Sequence, residues 1–187
     1  MNKLVASLYD FDPVDNAYVI KLSSNLYLDI FSTLDHYPIR KRDIDENVIH
    51  YIEECSRDIP LDKSIKMEIK IKGQARDAEL EDRTRKGMNN YFSYIQYVYK
   101  KKSKSTINTS FLYLLVFVVL TMLTLSVEAL NIKINIILFK TILEGLSIGS
   151  WVFLWESIAG ILIKNKENRY MVNIYKRLAT CQLFFVY

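Results

Sequence analysis

Between Ser105 and Val127 the chain carries no charged residue, and its second part, Phe111–Val127, reads FLYLLVFVVLTMLTLSV. A helix rises about 1.5 Å per residue, so crossing a hydrocarbon core of about 30 Å takes roughly twenty residues. Residues 106–127 supply that length. A second run, residues 141–163 (TILEGLSIGSWVFLWESIAGILI), is also long enough, although it contains Glu144 and Glu156. Half of the 187 residues are hydrophobic, with five Gly and three Pro, which excludes disordered, collagen-like and mucin-like chains. No secretory leader is expected, because the first apolar run lies beyond residue 105. The alternative of two core helices in a soluble fold is opposed by the lysine cluster beside so pure a run.

The basic residues predict an orientation. Lys100, Lys101, Lys102 and Lys104 precede the first run, and Lys164, Lys166, Arg169, Lys176 and Arg177 follow the second. The connection between the runs holds only Lys133 and Lys140, together with Glu128. Nine cations against two place both termini in the cytoplasm of a bacterial inner-membrane protein, with a short outward turn. In that compartment Cys55 and Cys181 are expected to remain thiols.

The rest of the chain reads as a small α/β domain. Residues 1–17, with Asp10, Asp12, Pro13, Asp15 and Asn16, are a poor background for regular structure. Tyr18–Leu22 and Tyr27–Phe31 read as strands around a turn at 23–25, and Leu34–Arg42 as a loop. Asp43, with Glu46 three residues on, predicts a helix start. Ile44, Val48, Ile49, Ile52 and Cys55 share a face of that helix, and Pro60 stops it. Residues 65–72 alternate Ile, Met, Ile, Ile against Lys, Glu, Lys, Lys, the pattern of a half-buried strand. From Ala75 the chain turns helical toward the first run, and residues 164–179 form another helix. QLFFVY at 182–187 then reads as a strand that needs a sheet to join.

The expected fold is therefore an α+β membrane protein, in which a transmembrane helical hairpin (106–163) interrupts a cytoplasmic domain. Residues 1–105 would form most of that domain, and 164–187 would complete it with a strand returning to the N-terminal sheet. Such a layout couples the domain to the hairpin at both ends.

Catalytic patterns are missing. His36 and His50 are the only histidines, and His50 and Cys55 fall on different helix faces, so neither a catalytic residue nor a metal site is predicted. There is no Gly-x-Ser-x-Gly, Walker or dinucleotide motif, and no cofactor is expected. Asp10, Asp12 and Asp15 resemble the start of a calcium loop but lack its Gly and distal Glu, and read as a solvated turn.

The second run carries the informative polar residues. Gly145, Gly149, Glu156 and Gly160 fall within about 60° on a helix, with Thr141 flanking them. Gly145 and Gly149 have the spacing that lets helix backbones approach closely, in one chain or between chains. Glu156 lies eight residues before Lys164, roughly 10–12 Å inside the boundary, where an acid costs about 2.5–3.5 kcal/mol. Neither run offers a basic residue at that depth. A ring of Glu156 around a water-filled axis, a protonated side chain and a hydrogen bond to a partner helix all answer the cost. Glu144, like Glu128, sits near the outer end, at a solvated mouth or paired with lysine. Tyr91, Phe92, Tyr94, Tyr97 and Tyr99 precede Lys100 directly, a pattern shared by headgroup-level belts and by surfaces that stack bases and pair phosphates.

IDENVIHYIEECSRDIPLD (44–62), EGLSIGSWVFLWE (144–156) and YKRL (175–178), in that order, resemble a group of uncharacterised bacterial two-span membrane proteins. The layout of a small domain on two helices looks like the transmembrane effectors of anti-phage systems, including the Hailong-type channel effector controlled by a nucleotide oligomer. The resemblance implies the architecture and carries no assigned activity. A homo-oligomer in the lipid bilayer is expected because two spans cannot enclose a water path, and a signal-producing partner protein is the expectation that goes with the effector-like layout. With the polar second run, it leads to the expectation of a channel or pore-forming effector gated by a nucleotide or oligonucleotide, the anionic ligand (or lipid) meeting the lysines and arginines flanking the two runs. The competing expectation is a non-conducting anchor that recruits a partner protein.

Overall fold

The computed structural model describes residues 7–129 and 137–187. It is α+β, with a four-stranded mixed sheet in the order β1-β2-β3-β4 and two helices long and apolar enough to cross a membrane. Two compact units emerge, one from the described residues up to Val98 together with Met171–Tyr187, the other from those of Tyr99–Tyr170.

In the first unit, β1 (Asp10–Asp12) forms an antiparallel hairpin with β2 (Ala17–Ser24). The turn is closed by Asp12, which accepts from the Val14 N–H at 2.9 Å, and by Asn16 at φ 50°. The sequence reads Asp10, Asp12 and Asp15 as a solvated turn; Asp15 does lie in an exposed turn, but Asp10–Asp12 form a strand. Asp10 pairs with Lys21, Asp12 and Asp15 both pair with Lys66, and Phe11 lies 5.0 Å from the Tyr18 ring. Charges on neighbouring strands thus hold a strand that propensity disfavours.

The expected strand at Tyr27–Phe31 is instead a 3₁₀ turn over Tyr27–Ile30, with Phe31 bridged to Ile44. The Asp29 carboxylate accepts from the Leu26 N–H at 2.9 Å, offering the backbone a local partner in place of a ladder. Tyr27 and Ile30, three apart, are buried together as a 3₁₀ turn requires.

Helix α1 (Glu46–Asp58) starts at Asp45, not at Asp43. Asp45 accepts from Asn47 N–H at 3.0 Å, whereas the Asp43 N–H is engaged by Asp35. Strand β3 (Ser64–Ile71) follows the predicted alternation, its Ile65, Met67, Ile69 and Ile71 all buried. It runs parallel to β2 on one side and to β4 (Gln182–Val186) on the other, so the C-terminal strand does join the sheet.

Helix α2 (Ala78–Ala129) opens on Asp77, which accepts from Glu79 and Leu80. Its first turns place Met88 and Phe92 in the core. Helix α3 (Ile137–Ala159) passes through a π-helical turn (Gly160–Lys164) into α4 (Asn165–Ala179). Met171, Ile174, Tyr175 and Leu178 of α4 are buried with Ile52, Cys55 and Ile59. Phe92 and Tyr175 lie 6.4 Å apart, and Tyr175 donates to Glu53. Both cysteines are free and buried, and burial pushes the Cys181 thiol up to about 12.

Candidate functional site

The second unit is an antiparallel pairing of α2 with α3 and the start of α4, read from contacts that run in opposite directions along the chain. Ser103 meets Asn165 at 2.6 Å, Tyr113 lies 5.9 Å from Phe153, and Phe117 lies 6.0 Å from Trp151. The surface of the pair is apolar and uncovered: Phe111, Leu115, Trp151, Trp155 and Ile163 are all exposed, and the most apolar stretches of the two helices are only 11% and 17% buried. A soluble core helix would be mostly buried, so this exposure suggests membrane association.

One end of the pair is polar inside. Asn168 Nδ2 donates to Thr106 Oγ1 at 3.2 Å, and Ser110 Oγ donates to the Thr106 carbonyl at 2.9 Å. Ser110, Asn165 and Asn168 are buried. Gly160 seats against Ser110, since a β-carbon there would collide with the serine hydroxyl. This is the close approach for which a glycine is needed. Beside it, Lys102, Thr106, Tyr113, Glu156 and Lys164 line a recess.

Glu156 projects into that recess and its Oε2 accepts from Lys164 Nζ at 3.0 Å. Eight residues of regular helix turn roughly 800°, leaving the two about 80° apart. A π-turn bonds i to i+5 and rotates less per residue, which narrows the angle. Lysine's long stem spans the remaining rise. The sequence offered no cation at the depth of Glu156; Lys164 reaches it from the next turns. The pair is not sealed, with side-chain exposures of 46% for Glu156 and 60% for Lys164.

The other predicted residues separate. Gly145 and Gly149 have nothing within 4 Å of where a β-carbon would stand, so they pack on no described residue, unlike Gly160. Thr141 and Glu144 are exposed, Thr141 Oγ1 donating to the Ile137 carbonyl at 3.0 Å. The expected outer turn with Lys133, and the Glu128 side chain, lie outside the described residues.

Of the basic residues, Lys100, Lys101, Lys102, Lys104, Lys164, Lys166 and Arg169 belong to the helix-pair unit and are exposed. Lys102 Nζ stands 5.8 Å from the centre of the Tyr99 ring. Lys176 and Arg177 belong to the sheet unit. Lys176 is exposed, but Arg177 is an internal clamp: its guanidinium donates to the carbonyls of Ser56, Ile59, Pro60 and Lys63 and to Ser56 Oγ. It thereby caps the C-terminal end of α1 from another helix. Sequence spacing carries no signal for that role.

Among the described residues no three His, Cys, Asp or Glu side chains converge as metal ligands. No family model matches this chain, and no curated protein or solved structure matches it.

Proposed function

We propose that this chain is the subunit of an oligomeric channel, or pore-forming effector, in the bacterial inner membrane. Both termini lie in the cytoplasm, and the sheet domain gates the helix pair in response to an anionic signal, a nucleotide or oligonucleotide supplied by a partner protein in anti-phage defence. The observation that carries this reading is Glu156, an acid in an apolar helix that opens onto a polar recess and keeps nearly half of its side chain exposed. Two helices cannot enclose a water path, so conduction requires several copies. The open faces of Gly145 and Gly149 offer the close helix approach that such assembly uses. The basic flanks support the orientation.

The Glu156–Lys164 ion pair favours a second reading, because it answers the cost of the acid within one chain and leaves no need for a pore. The chain would then be a non-conducting anchor for a partner protein.

Ion flux from liposomes separates the two. Wild-type protein is expected to release cations in response to short oligonucleotides, and Glu156→Leu to lose most of that flux. Protein that is folded and inserted, yet passes no ions under any condition, would establish the anchor.

A further inference from the structure

The loop ahead of α1 is built rigidly against α2. Gly87 permits this contact, since a β-carbon there would stand 2.5 Å from the Ile39 carbonyl oxygen and 3.0 Å from the Phe31 ring. Asn90 Nδ2 donates to the Arg40 carbonyl at 2.9 Å, and Arg42 Nε to the Tyr37 carbonyl at 3.0 Å. The Asp35 carboxylate accepts from the Tyr37 and Asp43 N–H groups at 2.9 and 2.8 Å. Those backbone donors hold its carboxyl below the usual range, so it stays charged and keeps the loop closed.

A loop fixed in this way presents three consecutive cations, Arg40, Lys41 and Arg42. Two recesses share Arg40 and Arg42: one faces Asn90, Tyr91 and Tyr94, the other reaches Arg83. Neither Arg40 nor Lys41 takes part in an ion pair among the described residues. Arg83 bonds Glu79 on its own helix, Asp82 and Asp35 lie within electrostatic reach of Arg40 and Arg42, and Asp43 is the one carboxylate lining the first recess. Among the residues lining that recess the balance is positive, and it stands beside Tyr94, which is 60% exposed.

We infer that the two recesses together bind a nucleotide, its base stacked on Tyr94 in the first, its phosphates on Arg40 and Arg42, which both share, and Arg83 in the second at the far side. Guanidinium forks match phosphate oxygens in pairs, and a tyrosine face takes any base. A site for phosphate alone has no use for the exposed Tyr94 beside the cations; a headgroup-level belt does, and competition by lipid vesicles separates the two. This deepens the proposed gating and rests on it only for the consequence of binding. It also moves the signal site from the flanking lysines to the sheet domain.

The test uses the full chain in detergent and a fluorescent ATP analogue read by anisotropy, with ATP, inorganic tripolyphosphate and phosphatidylglycerol vesicles as competitors. Binding is expected to weaken at least about tenfold in an Arg40→Ala/Arg42→Ala variant. Tyr94→Ala should weaken ATP at least about fivefold while leaving tripolyphosphate unchanged. Lys100→Ala/Lys101→Ala should bind as wild type. Circular dichroism confirms that each variant is folded. Absence of nucleotide binding, or binding that persists in the double arginine variant, overturns the inference. Vesicles that compete while ATP and tripolyphosphate do not would make this a lipid-headgroup surface and overturn it as well. A nucleotide that binds here without altering liposome flux leaves the site standing and removes the gating role.

Discussion

Truncating Arg177 to alanine tests whether it is a clamp or part of a ligand-binding collar. Ser56 and Ile59, whose carbonyls it holds, are 0% and 1% exposed, so water cannot simply replace the guanidinium. A buried carbonyl left without a donor costs about 1–3 kcal/mol, whereas the carbonyls of Pro60 and Lys63 lie nearer solvent. Two orphaned groups therefore remove roughly 3 kcal/mol from a domain whose total stability is on the order of 5–15 kcal/mol. Cys55 and Cys181 provide the assay, because both are buried at 5% and 9% exposure and must be uncovered to be alkylated. Under native conditions with fast reclosing, alkylation follows the opening equilibrium, and each 1.4 kcal/mol is about tenfold. Arg177→Ala should then alkylate at both cysteines about a hundredfold faster than wild type. Arg177→Lys, which keeps the charge but loses the fork, should fall between them. If alanine changes neither rate by more than about threefold, the clamp argument is refuted.

Acid should loosen the sheet domain. Asp12 is held below its ordinary value of 3.8 first by its hydrogen bond to Lys66, and Asp35 by backbone donors. A carboxyl lowered in the folded state contributes stability above its unfolded pKa and loses it as pH falls through the folded value. The urea midpoint should drop below about pH 4, less steeply in Asp12→Asn; an unchanged slope would exclude Asp12 as a source. In the helix pair, Gly160→Ala drives a methyl into Ser110 and should lower stability by about 1–3 kcal/mol, read from Trp151 and Trp155 fluorescence on heating. Ser110→Gly in the same chain should restore it, and a failure to restore would mean that the contact is not what makes glycine necessary.

Periodicity made parts of this molecule readable in advance. The alternation from Ile65 to Lys72 could only suit a strand with one wet face, and QLFFV could not be left unpaired. The two apolar helices were equally plain from length and charge. What escaped depends on partners far along the chain. Nothing in DFD announces a strand, because its partners, Tyr18, Lys21 and Lys66, lie on other strands. By sequence Asp43 has the better claim as cap, with Glu46 three residues on, but the bridge of Ile44 to Phe31, a partner far along the chain, holds 43–45 extended and the helix starts at Asp45. The π-turn at Gly160 and the reach of Lys164 to Glu156 leave no mark on a pattern assuming 100° per residue. Residues 40–42 read only as the end of a loop until Gly87 and Asn90 fix them on a helix beside Tyr94.

The parallel pairing of β3 with β4 has a consequence for synthesis. Roughly 110 residues separate the two strands, and at about 5–20 residues per second the ribosome needs several seconds to make them. Throughout that interval the outer edge of β3 has no partner, along the backbone of Lys66–Lys70 that β4 later pairs. Both apolar helices are made during the same wait. The nascent chain therefore carries an open, aggregation-prone edge for as long as its most hydrophobic segments are emerging. Any condition that slows translation of those segments should fall hardest on the yield of folded protein.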